Sequence, residues 1–309
     1  MIQKILSILL SVVLLVSGSG MASAEVTGNM TEKLAMVERD TYGAEQVGAV
    51  MERINRLEKD YNGKHNKGSM MERVDAICDE VYANEKEPSK LALLNAIEWN
   101  IRHEVSRVPV QQRIVDLEME IDGKTSEGSI SERIDGLAKQ SFGENVLPMV
   151  KVQVPADTLV RIALSEAVSS KNLKAGDKVS YRVAEDVSVD GVLLFVKGAE
   201  GEGTVKKVTP ARNFGRNAEL LIEFEKTKSI DGTYVDTFVG EAAKKEMTNL
   251  AMAAGASVAG IVLLGPVGII AGAFVKGKNI ELPEGTEVII QTKAEETLYG
   301  VQTENGSLR

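Results

Sequence analysis

The strings ERINRLEKDYNG from Glu52, ERVDAICDEVYA from Glu72 and ERIDGLAKQSFG from Glu132 superpose, and QRIVDLEMEIDG from Gln112 joins them at a spacing of 20 residues. No other feature limits the fold as tightly, because every copy of a repeat must solve the same packing problem. Carried backwards, the register reaches Lys33-Leu34 with Val37, Glu38, Tyr42 and Gly43; carried into the gap, it reaches Leu94 with Ile97 and Glu98. Six units result. Their first apolar anchors are Leu34, Ile54, Val74, Leu94, Ile114 and Ile134, and their second are Val37, Leu57, Ile77, Ile97, Leu117 and Leu137.

Inside a unit the apolar positions follow helical spacing, as in Val50, Ile54, Leu57 and Tyr61 or Val110, Ile114, Leu117 and Ile121, so each unit reads as a short amphipathic helix. Gly48, Gly68, Pro88, Pro109 and Gly128 break the chain between units, and Gly43, Gly63, Gly123 and Gly143 stand where a helix ends in a left-handed residue. So short a helix is marginal alone. Its stripe must be covered either by neighbours in the chain or by another chain.

The repeated pairs Glu52-Arg53, Glu72-Arg73 and Glu132-Arg133 read as a solvated face or as packing salt bridges, with a row for binding a partner as the lesser alternative. Cys78 replaces the Glu found at positions 38, 58, 98 and 118, which places it on a helix flank as a buried or idle thiol with no His placed to activate it. Trp99, in the most divergent unit, reads as a packing residue.

Residues 1–24 read as a signal peptide: Lys4, an apolar run from Ile5 to Val16, and Ala22-Ser23-Ala24 as a cleavage site. The expectation is an exported protein, periplasmic or associated with the outer membrane. Cys78, the sole cysteine, lies far from that site, which argues against lipoprotein processing. Residues 25–148 form the repeat region and carry 24 acids against 16 bases, most of the chain's formal net charge of −9. Such a surface repels phosphate backbones, so nucleic acid is excluded as a partner. One Cys and two His provide neither a disulfide nor a metal cluster.

From Pro148 the periodicity changes. Residues 149–309 alternate apolar and polar, in Val150 to Val154, Leu159 to Leu164, Val179 to Val183, Val192 to Val196, Gly203 to Val208, Glu219 to Phe224, Tyr234 to Val239 and Glu287 to Thr292. With hairpin signals at Asp190-Gly191 and Asp231-Gly232, at least seven short strands are implied, forming an antiparallel barrel or sandwich. The fold class is therefore α+β, an array of short helices followed by a β domain. Gly198, Gly201 and Gly203 precede a strand-like TVKKV rather than a helix, so they do not make a phosphate loop. Asp157, Ser169-Ser170 and Glu185-Asp186 supply carboxylates and hydroxyls, but no His follows residue 103. No catalytic, cofactor-binding or metal residues are assigned, and the expectation is a protein without enzymatic activity.

Met247 to Val275 is an uncharged run of 29 residues. Gly265-Pro266 divides it, which favours two helices joined by a turn over one rod. Small residues recur every fourth position, as Ala251, Gly255 and Ala259 and as Gly268 and Gly272, the spacing that lets helix backbones approach closely in lipid. The hairpin either touches the membrane or covers the barrel in water.

Three resemblances follow. VPADTLVRIALSEAVSS, the Asp190-Gly191 hairpin, VKGAEGEGTV, the Asp231-Gly232 hairpin, the apolar hairpin and LPEGTEVIIQT, together residues 152–298, resemble the β-barrel domain of TrbI-like proteins of conjugation and type IV secretion. That resemblance implies a ring of subunits whose hairpins, here 247–275, line an outer-membrane pore. The RIxxLExxxYG units resemble repeats of exported bacterial envelope proteins, and the uncharged run resembles glycine-zipper motifs. The reading is an envelope structural or interaction protein, its repeat region binding an envelope partner or itself as a homo-oligomer. A TrbI-like translocation ring is the alternative, and binding of cell-wall polymer is a weaker one.

Overall fold

The computed structural model describes residues 28–144, 146, 148–211, 218–253 and 279–303. The leader read over 1–24 and the Gly265-Pro266 turn lie outside them. Six helices, α1 (Met30–Tyr42), α2 (Val50–Asn62), α3 (Met70–Tyr82), α4 (Lys90–Arg102), α5 (Val110–Asp122) and α6 (Ile130–Phe142), are each 13 residues long. Their starts keep the 20-residue register without a slip.

Local chemistry sets both ends. Asn29, Ser69 and Ser129 cap α1, α3 and α6, and Glu32, Glu72 and Glu132 reach back to the cap backbone to complete a capping box. The returning glutamate needs room. A Cβ on Gly68, at φ +122°, would lie 2.8 Å from Glu72 Oε2; where α4 and α5 carry Ala92 and Gln112 at that position instead, Pro88 and Val108 replace the glycine. Gly43, Gly63 and Gly123 end their helices in the left-handed region, and His103 does so for α4 at φ 55°. Gly143 departs from this rule, with ψ at 155°, because the chain leaves α6 extended toward the first strand.

The sequence leaves open what covers the helical stripes; the structure covers them within the chain. None of the 12 anchors is more than 2% exposed. Helices α1, α2 and α3 pack on one another, as do α4, α5 and α6, and the triplets join through α1 on α5, α2 on α6 and α3 on α4. The repeats therefore close into a bundle rather than continuing as an open solenoid.

The strands are β1 (Val150–Val154), β2 (Leu159–Leu164), β3 (Val168–Ser169), β4 (Lys178–Val183), β5 (Val187–Val189), β6 (Val192–Phe195), β7 (Glu200–Thr209), β8 (Glu219–Lys228) and β9 (Tyr234–Phe238). After helix α7 (Glu241–Ala253) come β10 (Glu281–Leu282), β11 (Glu287–Thr292) and β12 (Glu296–Gln302). A closed antiparallel barrel runs β11-β2-β4-β7-β8-β9, a four-stranded sheet runs β1-β12-β6-β5, and β10 pairs with β3. Asp190 at φ 51° and Gly191 at φ 75° join β5 to β6, as a tight hairpin of that chemistry requires. The barrel is filled by Val160, Ile162, Val179, Tyr181, Ile222, Phe224, Val288 and Ile290. Outward-facing charges pair across it, Lys206 with Glu223 at 2.7 Å and Lys207 with Glu219 at 2.8 Å. An apolar interior and a charged exterior invert the pattern of a lipid-embedded barrel.

Candidate functional site

The repeated arginines do not pair with the glutamates beside them. Each reaches back 15 residues to the preceding helix: Arg53 donates to both carboxylate oxygens of Glu38 at 3.0 and 2.6 Å, Arg73 to those of Glu58 at 2.9 and 2.5 Å, and Arg133 to those of Glu118 at 2.9 and 2.6 Å. Arg113 donates to Glu98 at 2.9 Å and to Asn95 at 2.8 Å. The same glutamates accept a backbone N–H eight residues on, Gln46 and Ser106 at 3.0 Å and Ser126 at 3.1 Å. One carboxylate thus ties its own helix, the following loop and the next helix. The planar guanidinium fork suits this geometry. Burial opposes ionisation of Glu58 and Glu118, but the arginine bonds, the loop N–H groups and the arginine charge outweigh it and hold both carboxyls below the usual carboxylate range. Burial pulls the Arg113 guanidinium down against Glu98. These arginines are committed inside the bundle and offer no binding row.

Between α3 and α4 the clasp is missing on both sides. Cys78 stands for the glutamate and Leu93 for the arginine, so neither leaves a buried charge without a partner. Cys78 is 3% exposed, in the buried seam rather than on a helix flank, and burial pushes its thiol up to about 12. This junction faces the β domain. Asn84 donates to the Asp231 carbonyl at 2.9 Å, Asn95 to the Ile230 carbonyl at 2.8 Å, and Tyr299 Oη to the Lys86 carbonyl at 2.8 Å. Trp99 is the packing residue its sequence suggests, edge-on to His103 and donating to Asp186 at 3.2 Å.

The β8–β9 loop is the counterpart. Ile230 and Asp231 are each 1% exposed. Asp231 accepts from Ser229 Oγ at 2.6 Å, from the Thr233 N–H at 3.0 Å and from the Tyr299 N–H at 2.8 Å. Ile230, Leu193, Val196, Tyr299 and Val301 join the helical core, so the bundle and the four-stranded sheet share one apolar interior. Beside this joint lies a cleft of about 490 Å³ between α1, the α4–α5 loop, the start of β7 and the end of β8. Sequence reasoning missed it because its walls, with Leu91 and Asn95 of α4 among them, come from five separate segments.

Other residues singled out by sequence have structural partners. Ser170 Oγ accepts from the Ile280 N–H at 3.0 Å, Asp157 accepts from Gln291, and Glu185 pairs with Arg161 at 3.3 Å. Helix α7 starts before the uncharged run and packs on β11. Its Ala243 and Met247 are buried, and the Ala243 N–H donates to Gln291 Oε1 at 2.9 Å. Ala251 lies on its last turn; Gly255, Ala259, Gly265, Pro266, Gly268 and Gly272 lie outside the described residues. Among the described residues no helix is long and apolar enough to cross a membrane.

No protein-family model matches this chain, and no curated protein matches it. Among solved structures, the chain is similar to ComB10 of the Com type IV secretion system of Helicobacter pylori, at a TM-score of 0.27 and 14% identity, covering 48% of this chain and 96% of that one. Those values are too low to bear on function.

Proposed function

We propose that this is a non-enzymatic structural and interaction protein of the bacterial envelope, exported by its leader, whose hairpin segment 247–275 meets the outer membrane while the helical bundle engages an envelope partner or a second copy. The observation that carries the reading is the run of 29 uncharged residues, which begins on α7 while that helix is anchored to β11. Charged pairs on the barrel wall leave that run as the segment suited to lipid. The helical stripes are already covered, so the bundle would bind through its surface, where Val47, Met51, Met70 and Met71 are exposed around the starts of α2 and α3.

The test is fractionation of the native protein with a carbonate wash, followed by sizing in detergent. Retention in the washed outer-membrane fraction supports the proposal. Ring-sized particles would favour the TrbI-like alternative, and a monodisperse monomer in the soluble fraction would overturn both. Gly255→Leu with Gly268→Leu should disrupt assembly in detergent; unchanged sedimentation would remove helix packing at those glycines.

A further inference from the structure

We infer that the cleft between bundle and barrel is a binding site for a small anion, a phosphate- or carboxylate-bearing molecule of about monosaccharide size. The first observation is internal to the repeat. Ser126 and Ser106 occupy equivalent positions and both give their N–H to a clasp glutamate. Ser126 is exposed, so water reaches its hydroxyl, whereas around Glu98, which Arg102 and Arg113 occupy, the Ser106 Oγ is buried without a partner at the cleft wall. A buried hydroxyl without a bond costs stability. Turned to another staggered rotamer, toward the cleft, it would be satisfied by a ligand oxygen.

The second observation is charge. In a protein of net charge −9, the cleft gathers Arg39, Arg107 and Lys228 against Asp40 and Glu200. Both acids are engaged, Glu200 by Arg107 at 3.1 Å and Asp40 by Tyr82 Oη at 2.6 Å. Arg39 and Lys228 form no ion pair among the described residues; Lys228 lies over the Tyr234 ring, 5.6 Å from its centroid, a contact that leaves ammonium donors free. Two uncommitted cations beside an unbonded hydroxyl suit an anion, and Val108, exposed on the same wall, suits the apolar face of a sugar ring. The size fits: small-molecule sites are clefts of roughly 300–1,000 Å³.

The full-length protein is titrated separately with inorganic phosphate and with glucuronate, following backbone amide shifts and the thermal midpoint. Saturable shifts at Ser106, Arg107 and Lys228, with a rise in the midpoint, are expected from at least one probe. Stronger binding of phosphate would indicate a phosphorylated ligand, and stronger binding of glucuronate an acidic sugar. Arg39→Gln with Lys228→Gln should weaken binding about tenfold. Should that pair unfold the protein, Ser106→Ala serves instead, with a loss of about threefold. No saturable shift with either probe, or binding that survives the folded variants unchanged, overturns the inference.

Discussion

The junctions α1–α2, α2–α3, α4–α5 and α5–α6 each carry a buried glutamate bonded to an arginine 15 residues on, the arginine buried in the first three and half-buried in the last. The α3–α4 junction carries Cys78 and Leu93 at the same places. Four times the sequence repeats a rule, and once it drops both partners together. A lone buried charge is far more costly than either a complete pair or an apolar substitute, so the two positions must change jointly. The exception falls where α3, α4 and their connecting loop turn to the β domain and give Asn84, Asn95 and Trp99 to contacts outside the bundle. A repeat departs from its pattern where it has a neighbour that the other copies lack.

The comparison breaks most sharply at Glu98. Glu98→Ala strands Arg113, which is 3% exposed, and should lower unfolding free energy by about 3–5 kcal/mol. A denaturant midpoint showing little change would mean that Arg113 finds other partners. At the exceptional junction the reverse experiment applies: Cys78→Glu alone should cost about 3 kcal/mol, while adding Leu93→Arg should recover about 1–3 kcal/mol as coupling in a double-mutant cycle. Additive effects would show that the site can no longer host a clasp.

Asp231→Ala removes the acceptor for three donors at the joint and should cost about 2 kcal/mol. The loss should appear as faster hydrogen exchange at Tyr299 and Thr233, and unchanged exchange there would remove Asp231 as the tie. Ser69→Ala, which breaks a capping box, should cost about 1 kcal/mol, with α3 fraying by NMR as the check.

Acid gives the gentlest test. Glu58 and Glu118 have folded values below the ordinary carboxylate value of 4.5, so their contribution is complete above that value and fades as pH falls through the lower folded values. Side-chain carboxyl shifts followed through an acid titration should show both protonating later than exposed glutamates. Cys78, held up at about 12, stays a neutral thiol throughout, and thiol reagents at pH 8 should label it only as fast as the chain opens.

Much of this was legible beforehand. The periodic apolar anchors set the six helices, because a stripe at helical spacing has one inward face whatever it meets. The alternating segments placed most of the barrel strands for the same reason. β12 shows no strand signal because, buried between β1 and β6, it reads ETLYGVQ without clean alternation. The short strands β3, β5 and β10, of two or three residues each, carry too few residues to show a period.

By itself, then, the sequence determined the 20-residue register, the ends of the helices through their capping residues and glycines, the alternation of the barrel and the hairpin at Asp190-Gly191. These depend on interactions within a few residues of one another. The tertiary structure decided the closure of six helices into two joined triplets, the choice of the preceding helix as each arginine's partner, and the meeting of five separate segments at the cleft beside Ser106. Spacing fixes which face of an element is buried; only the packed chain decides which other face it meets.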